Sequence, residues 1–328
     1  DNDPTDRNGH GTHVAGTIAA ANDAFGSTGV AYGSVIMPVQ VLGSDGTGSV
    51  YNVAAGIRYA VDNGADVINL SLGGGYSSTL RSSIAYAEEH GVIVVAAAGN
   101  SAGTSPGYPA AFSAELTNVL SVGAHDSADA RASFSNLVGA SGAVQVDAPG
   151  VGIYSSLPGN RYGRYNGTSM ATPHVAGLAA LVLSANPGLA PEAVRSLIVE
   201  GADRAIAGSD SMGGVNAALT VARAEGYTGA VASQAGLAST ASSGWGESII
   251  AAAGSLPGSS APAGLTSPQP GRIFADDATR PTSPMSRAQV ALAVLDEPIA
   301  RAAEGVLDSA GRAAGADEEF FAWGPAAG

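Results

Sequence analysis

The chain has 328 residues, no cysteine, a formal net charge of −14 and a pI near 4.5. The acidic balance argues against a nucleic-acid partner and against binding to an anionic membrane surface. The lack of cysteine excludes a disulfide scaffold, a thiol nucleophile and thiolate metal sites. With 45% apolar residues and no apolar run of membrane-spanning length, the chain is expected to bury a large core in one or two domains.

The first residues, 1–6, are polar and acidic, and the chain opens without methionine. Only nine residues precede His10, which begins a dense His-Gly-Thr-His motif. The opening therefore carries no secretory signal, and we expect a processed chain or a fragment of a longer protein.

Short apolar strands alternate with helical patterns from residue 9 to residue 226. Apolar periodicity and turn signals predict strands at 35–42, 67–72, 91–98, 119–124 and 144–146, and helices near 9–21, 53–62, 79–90, 169–184, 191–201 and 214–224. This alternation predicts a three-layer α/β fold, with helices on both faces of a mostly parallel sheet. In such a fold, functional side chains gather at the carboxyl ends of the strands, where Ser71 and Asn100 lie.

The composition changes after residue 226. Residues 1–226 are expected to form the folded domain, and 227–285, rich in Ala, Gly, Ser and Pro, an unstructured linker. Residues 286–328 regain an apolar pattern that we interpret as a short helical tail.

The most informative stretch is 166–177, Asn-Gly-Thr-Ser-Met-Ala-Thr-Pro-His-Val-Ala-Gly, which places Ser169 between a glycine loop and an apolar helix. A serine at such a position is often only a helix cap. As a nucleophile it needs a base and donors for the developing oxyanion, and His10 and Asn100, each beside glycines, are the candidates. His10 would accept the Ser169 proton and return it to a leaving amine.

Four blocks together resemble the subtilisin family of serine endopeptidases. They are Gly-His-Gly-Thr-His-Val-Ala-Gly-Thr at 9–17, Asn-Leu-Ser-Leu-Gly-Gly at 69–74, Ala-Ala-Gly-Asn at 97–100, and Gly-Thr-Ser-Met-Ala-Thr-Pro-His-Val-Ala-Gly at 167–177. The resemblance implies that His10 is the general base, Ser169 the nucleophile and Asn100 the oxyanion donor. It also implies a secreted, monomeric protease that acts on polypeptides.

The same resemblance implies a peptide-binding cleft whose edges pair with an extended substrate. The residues assigned to these edges are Gly43, Ser44, Asp45, Gly46, Ser71, Leu72, Gly73 and Gly99. The glycines at the cleft rims suggest an open pocket for large apolar side chains.

The resemblance further implies structural calcium bound by hard oxygen donors. The resemblance places one site in the loop 22–27. The oxygen donors of the opening residues suggest a second site, and the alternative for these residues is a solvated loop. The assigned ligands are Asp1, Asp3, Thr5 and Asp6, and then Asn22, Asp23, Phe25 and Ser27. A zinc site at His10 and His13 is less favoured, since no third ligand stands at the required spacing.

One element of the family pattern is absent ahead of His10. The family's aspartate, in an Asp-Ser-Gly or Asp-Thr-Gly block at the end of the first strand, precedes the histidine. Asp1, Asp3 and Asp6 carry no such block, so the role passes to none of them. We therefore expect a sheet truncated at the N-terminus and a weakly active or unstable chain, since losing the aspartate costs about 10⁴-fold in turnover. The alternative is an inactive fragment or pseudoprotease that only binds peptides.

Overall fold

The computed structural model describes residues 5–227, 289–295 and 319–322. The predicted strands and helices of the first 226 residues are present, with ends shifted by a few residues. Among the described residues the helices are α1 (His10–Ala19), α2 (Val50–Asp62), α3 (Ser78–Glu89), α4 (Thr168–Ala185), α5 (Pro191–Glu200) and α6 (Ala217–Gly226). Two short 3₁₀ helices span Ala110–Ala114 and Gly139–Ser141.

Three groups of strands are formed. The strands are β1 (Val35–Leu42), β2 (Thr47–Ser49), β3 (Val67–Leu70), β4 (Leu72–Gly73), β5 (Ile93–Ala97), β6 (Val119–His125), β7 (Gln145–Pro149), β8 (Ile153–Leu157), β9 (Arg161–Tyr165), β10 (Gln289–Leu295) and β11 (Glu319–Ala322). The main sheet has the order β1-β10-β3-β5-β6-β7 with every neighbouring pair parallel. A second sheet has the order β2-β11-β4, and β8 and β9 form a hairpin.

The main sheet separates two apolar clusters, as the predicted three-layer fold requires. In β5, Ile93 and Val95 face the cluster that contains α1, α4, α5 and α6 residues, whereas Val94 and Ala96 face the cluster of α2 and α3. All of β5 is buried. Side chains alternate between the faces of a strand, so a strand covered on both sides must be apolar throughout. This confirms the interpretation of residues 91–98 as a doubly buried strand.

The prediction of a helical tail is wrong where the structure describes residues 286–328. Gln289–Leu295 is a strand that lies between β1 and β3, and Glu319–Ala322 is a strand between β2 and β4. A short apolar run has no hydrophobic period that distinguishes a helix from a buried strand. Here the run forms a strand because a position between β1 and β3 is open to it. The position in the sheet that was expected to be empty is therefore filled by a segment from the far end of the chain. The predicted linker lies outside the described residues except for Tyr227.

We predict that Val290 of β10 is a core residue on which folding depends. Its side chain is fully buried, in one apolar cluster with Val14 and Val67. Val290→Asp would bury an unpaired carboxylate, and we expect it to lower the free energy of unfolding by about 3 kcal/mol or more. Urea unfolding followed by circular dichroism measures the loss. The matched control is Val35→Asp, at the 45% exposed start of β1. Equal losses in both variants would contradict the placement of β10.

Candidate active site

Ser169 is the second residue of α4 and is fully buried. Gly167 precedes the helix with φ 152° and ψ 159°, a backbone conformation that favours glycine. A Cβ at this position would come within 3.2 Å of Asn100 Nδ2. Glycine therefore lets the chain turn sharply into the helix while the Asn100 amide stays close to the turn.

Ser71 holds the start of α4 through a hydrogen bond to the backbone. Pro173 lies inside the helix and has no N–H, so it cannot bond the carbonyl of Ser169 four residues earlier. The Ser71 hydroxyl takes this place and donates to Ser169 O at 2.8 Å. In return, Ser169 Oγ donates to Ser71 O at 3.2 Å. The Asn69 amide donates to Ser71 Oγ at 3.0 Å and completes a buried network at the end of β3.

Asn100 is oriented by Thr168, the residue before the candidate nucleophile. Its Oδ1 accepts from Thr168 N at 2.9 Å and from Thr168 Oγ1 at 2.8 Å. Its Nδ2 is buried and has no hydrogen-bond partner among the described residues. Leaving a buried donor unsatisfied costs about 1–3 kcal/mol, so a fixed, unpaired N–H beside Ser169 is a site prepared for an acceptor.

His10 is the first residue of α1 and is 5% exposed. Burial, helped by the nearby His13 and opposed by the charge of Asp6, lowers its pKa to about 4. The imidazole is therefore neutral near pH 7, the form that accepts a proton. Its Nε2 is buried without a partner in the described part of the chain. Helix α1 packs against α4, which carries Ser169.

Asp6 stabilises the start of α1. One carboxylate oxygen accepts from Asn8 N and Gly9 N, at 2.9 and 2.7 Å, and the other from Thr12 N and Thr12 Oγ1, at 2.9 and 2.6 Å. Partial burial opposes ionisation, but the bonds from Gly9, Thr12 and Asn8 outweigh it and lower the pKa of Asp6. Asp6 thus caps the helix that positions His10, and its two oxygens are engaged there.

Two short segments, residues 43–46 and Leu72–Gly73, are the predicted edges of the peptide-binding cleft. Residues 43–46 form a tight turn in which Asp45 accepts from the backbone and hydroxyl of Thr47, both at 2.9 Å. The turn leads into β2, and it is β2, not the turn, that pairs with a neighbouring strand. On the other side Leu72 and Gly73 form β4, as expected of an edge segment. Gly99 donates its N–H to Thr168 Oγ1 at 3.2 Å.

Other histidines support the fold around the site. His13 stacks on Tyr165 with ring centroids 4.6 Å apart, and a ring nitrogen lies 2.9 Å from Ile153 O. His174 lies in α4, where burial lowers its pKa to about 4, and its Nδ1 is 2.9 Å from Met170 O.

The predicted calcium residues are only partly described. Asp1 and Asp3 lie outside the described residues. In the loop 22–27, Asp23 Oδ1 accepts from Phe25 N at 3.0 Å, and Ser27 Oγ is buried with no described partner. Across the part of the chain that the structure describes, no cluster of three or more His, Asp or Glu side chains could hold a metal ion. Any ion in this loop would thus depend on carbonyl and hydroxyl oxygens as well as Asp23.

The chain is similar in sequence to a known family of proteins. The model of the subtilase family, peptidase group S8, matches residues 1–246. The chain belongs to the subtilase family. Among curated relatives, subtilisin DY of Bacillus licheniformis is 49% identical over 193 residues, which cover 58% of this chain and 69% of that protein. The M-protease of Shouchella clausii is 48% identical over 192 residues, 58% of this chain and 49% of that protein.

Solved structures of subtilases support the fold. A protease from Pseudoalteromonas arctica is 38% identical with a TM-score of 0.59, over 66% of this chain and 70% of that one. A cold-adapted subtilisin-like serine proteinase is 40% identical with a TM-score of 0.58, over 66% of this chain and 76% of its own. The three-layer α/β prediction is thereby confirmed for this subtilase.

Sequence reasoning missed Thr168 as a supporting residue of the subtilase site, and it missed the role of the Ser71 hydroxyl. Thr168 orients the Asn100 amide, and the Ser71 side chain replaces the helical donor that Pro173 lacks. The proline inside a predicted helix was the available signal, since it leaves a carbonyl four residues earlier without a donor. The partner of that carbonyl could not be read from the sequence.

Helix α4 is, among the described residues, the one helix whose length and apolarity would suit a membrane span. However, 72% of it is buried inside the protein, and it contributes to the core between α1 and the main sheet. Burial of this kind is typical of a core helix.

We predict that His10 stays neutral in the folded protein at pH 5.5. A free imidazole, with a pKa near 6.5, is mostly protonated at that pH, whereas burial holds His10 near 4. Because the unfolded chain takes up a proton that the folded chain refuses, this site's contribution to stability falls as the pH drops from about 6.5 towards 4. Nitrogen NMR of labelled histidine, assigned with His10→Gln, measures the titration; a His10 midpoint near 6.5 would contradict it.

Proposed function

We propose that the protein is a serine endopeptidase that cleaves peptide bonds through an acyl-enzyme on Ser169. The observation that carries the proposal is the buried, unpaired Nδ2 of Asn100, held beside Ser169 by two hydrogen bonds from Thr168 to Oδ1. Membership of the subtilase family and the names of relatives such as subtilisin DY support it.

The proposed mechanism assigns each step to a described group. Neutral His10 accepts the proton of Ser169 Oγ as this oxygen bonds the substrate carbonyl carbon. The hydroxyl must first leave Ser71 O, to which it donates in this structure. Asn100 Nδ2 then donates to the oxyanion, and His10 returns the proton to the leaving amine. Water hydrolyses the acyl-enzyme by the reverse sequence.

No residue of the chain is assigned as the carboxylate that would orient His10 in this mechanism. Both carboxylate oxygens of Asp6 accept hydrogen bonds at the start of α1, which argues against a triad role for Asp6. The family pattern includes that aspartate, so we propose full activity only for a protein that contains it. The alternative is a chain that binds peptides without cleaving them, and it follows from the same unassigned carboxylate.

Labelling with a fluorophosphonate probe tests the proposal. We expect one label per chain, on Ser169, and none on Ser169→Ala. Asn100→Ala is expected to label about 10²-fold more slowly, since the phosphonate oxygen occupies the place of the oxyanion; another subtilisin lost about 10²–10³ in turnover on removal of such a donor. Peptide mapping by mass spectrometry identifies the labelled residue.

An intact, folded protein that leaves Ser169 unlabelled would contradict the enzyme proposal and favour the peptide-binding alternative. Equal labelling rates for the wild type and Asn100→Ala would instead contradict the role of Asn100 alone. Circular dichroism of each variant confirms folding before either outcome is interpreted.

We further propose extracellular action as a monomer on polypeptides, with preference for large apolar side chains in an open pocket. The glycines that follow β4 and β5 support an open rim, and the relatives' subtilisin names support the substrate class. A strong preference for a basic residue before the cut, in peptide profiling, would contradict the apolar pocket.

Calcium binding at residues 22–27 remains a proposal, supported by the buried unpaired Ser27 Oγ and the exposed Asp23 carboxylate. Millimolar Ca²⁺ should raise the melting temperature, because a ligand at 100 times its Kd stabilises the folded state by about 2.7 kcal/mol. Asp23→Ala should remove the effect. Asp45→Ala is the matched control, since Asp45 also accepts a hydrogen bond from the backbone two residues later. A full calcium response in Asp23→Ala would overturn the site.

A further inference from the structure

The groove between the two edges of the site is occupied by the chain itself. Strand β11 pairs antiparallel with β2, where Phe321 lies opposite Thr47, and antiparallel with β4, where Phe321 lies opposite Gly73. Both short edges therefore find their main-chain partners in one segment. An edge strand with unpaired backbone groups is a template for an added strand, and here the added strand is Glu319–Ala322.

The direction of β11 brings its carboxyl end to the nucleophile. Ala322, the last residue of the strand, lies opposite Leu72. The residue before Leu72 is Ser71, which exchanges hydrogen bonds with Ser169 through its carbonyl and its hydroxyl. Because β11 is antiparallel to β4, its residues run from opposite Gly73 to opposite Leu72, in the direction of Ser71.

The reactive groups are buried in this arrangement. Ser169 is 0% exposed, Leu72 1%, Ser71 3% and His10 5%. A nucleophile that must meet a peptide from solution needs an accessible surface on at least one side. The burial of these groups and the pairing of both edges accord with a groove that the chain itself occupies.

We propose that Glu319–Ala322 is an intramolecular competitor of substrate, which occupies the peptide groove between β2 and β4 and must leave before a polypeptide binds. The proposal rests on the proposed function for its consequence, but its structural content is tested separately. A tethered competitor acts at an effective concentration on the order of millimolar. If the segment itself binds the groove with a Kd of about 0.1 mM, an external peptide binds about tenfold more weakly to the intact chain than to the free groove.

The experiment uses the full chain with Ser169→Ala, so that no cleavage intervenes, and compares Phe321→Pro with Phe321→Leu. Proline removes a backbone N–H and disfavours a central strand, whereas leucine keeps the main chain intact. Hydrogen exchange should become faster at Thr47–Ser49 and Leu72–Gly73 in the proline variant only. Exchange at Ile93–Ala97, inside the main sheet, should be the same in both and reports that the fold is intact.

Binding of a fluorescent peptide, Glu-Glu-Phe-Phe-Ala, gives a second measurement. We expect a Kd about tenfold lower for the proline variant than for the leucine variant. If Ile93–Ala97 also loses protection, Phe320→Pro replaces Phe321→Pro in the same comparison. Equal exchange at both edges together with equal Kd values would overturn the proposal.

The same two variants with Ser169 restored separate this proposal from the proposed function. Faster fluorophosphonate labelling of the proline variant supports both. No labelling in either variant, with the difference in peptide Kd retained, contradicts the enzyme and leaves the competitor supported. Equal labelling of both variants, with equal Kd values, contradicts the competitor and leaves the enzyme supported.

Discussion

The hydrogen bond from the Ser71 hydroxyl to the Ser169 carbonyl is the contact on which the arrangement of the site depends. It exists because Pro173 removes the donor that an uninterrupted helix would supply. The bond ties the first turn of α4 to the end of β3 and so fixes Ser169 against the main sheet. Thr168, one residue earlier, ties the same turn to Asn100 after β5. The residues that follow β3 and β5, two neighbouring strands, thereby hold the start of α4 in place.

The pKa of His10 depends more on burial than on neighbouring charges. His10 is buried at the start of α1, and loss of hydration keeps it neutral against the attraction of the Asp6 carboxylate. Asp6 itself is held ionised by four donors at the helix start. The helix is therefore anchored by a charged group while the imidazole it presents stays uncharged, which suits a general base.

The sequence predicted the layers and most elements, because these depend on local patterns, and local patterns also nominated His10, Asn100 and Ser169 for the site. The apolar run before Asn100 and the glycines around Ser169 could be interpreted without distant partners. The Asn100–Thr168 contact joins residues 68 positions apart, and nothing local indicates it. The same limit explains the error at β10, whose seven residues suit either a helix or a strand until the gap between β1 and β3 is known.

The position of β10 also has a consequence for the order in which the protein folds. Its neighbours in the sheet, β1 and β3, are separated from it by more than two hundred residues of chain. Contacts between such distant segments carry a large loop-closure entropy and slow the folding of parallel sheets. During synthesis, β1 and β3 leave the ribosome long before their shared neighbour. The nascent chain must therefore expose two unpaired strand edges until the tail arrives, and this interval is when it is most prone to aggregate.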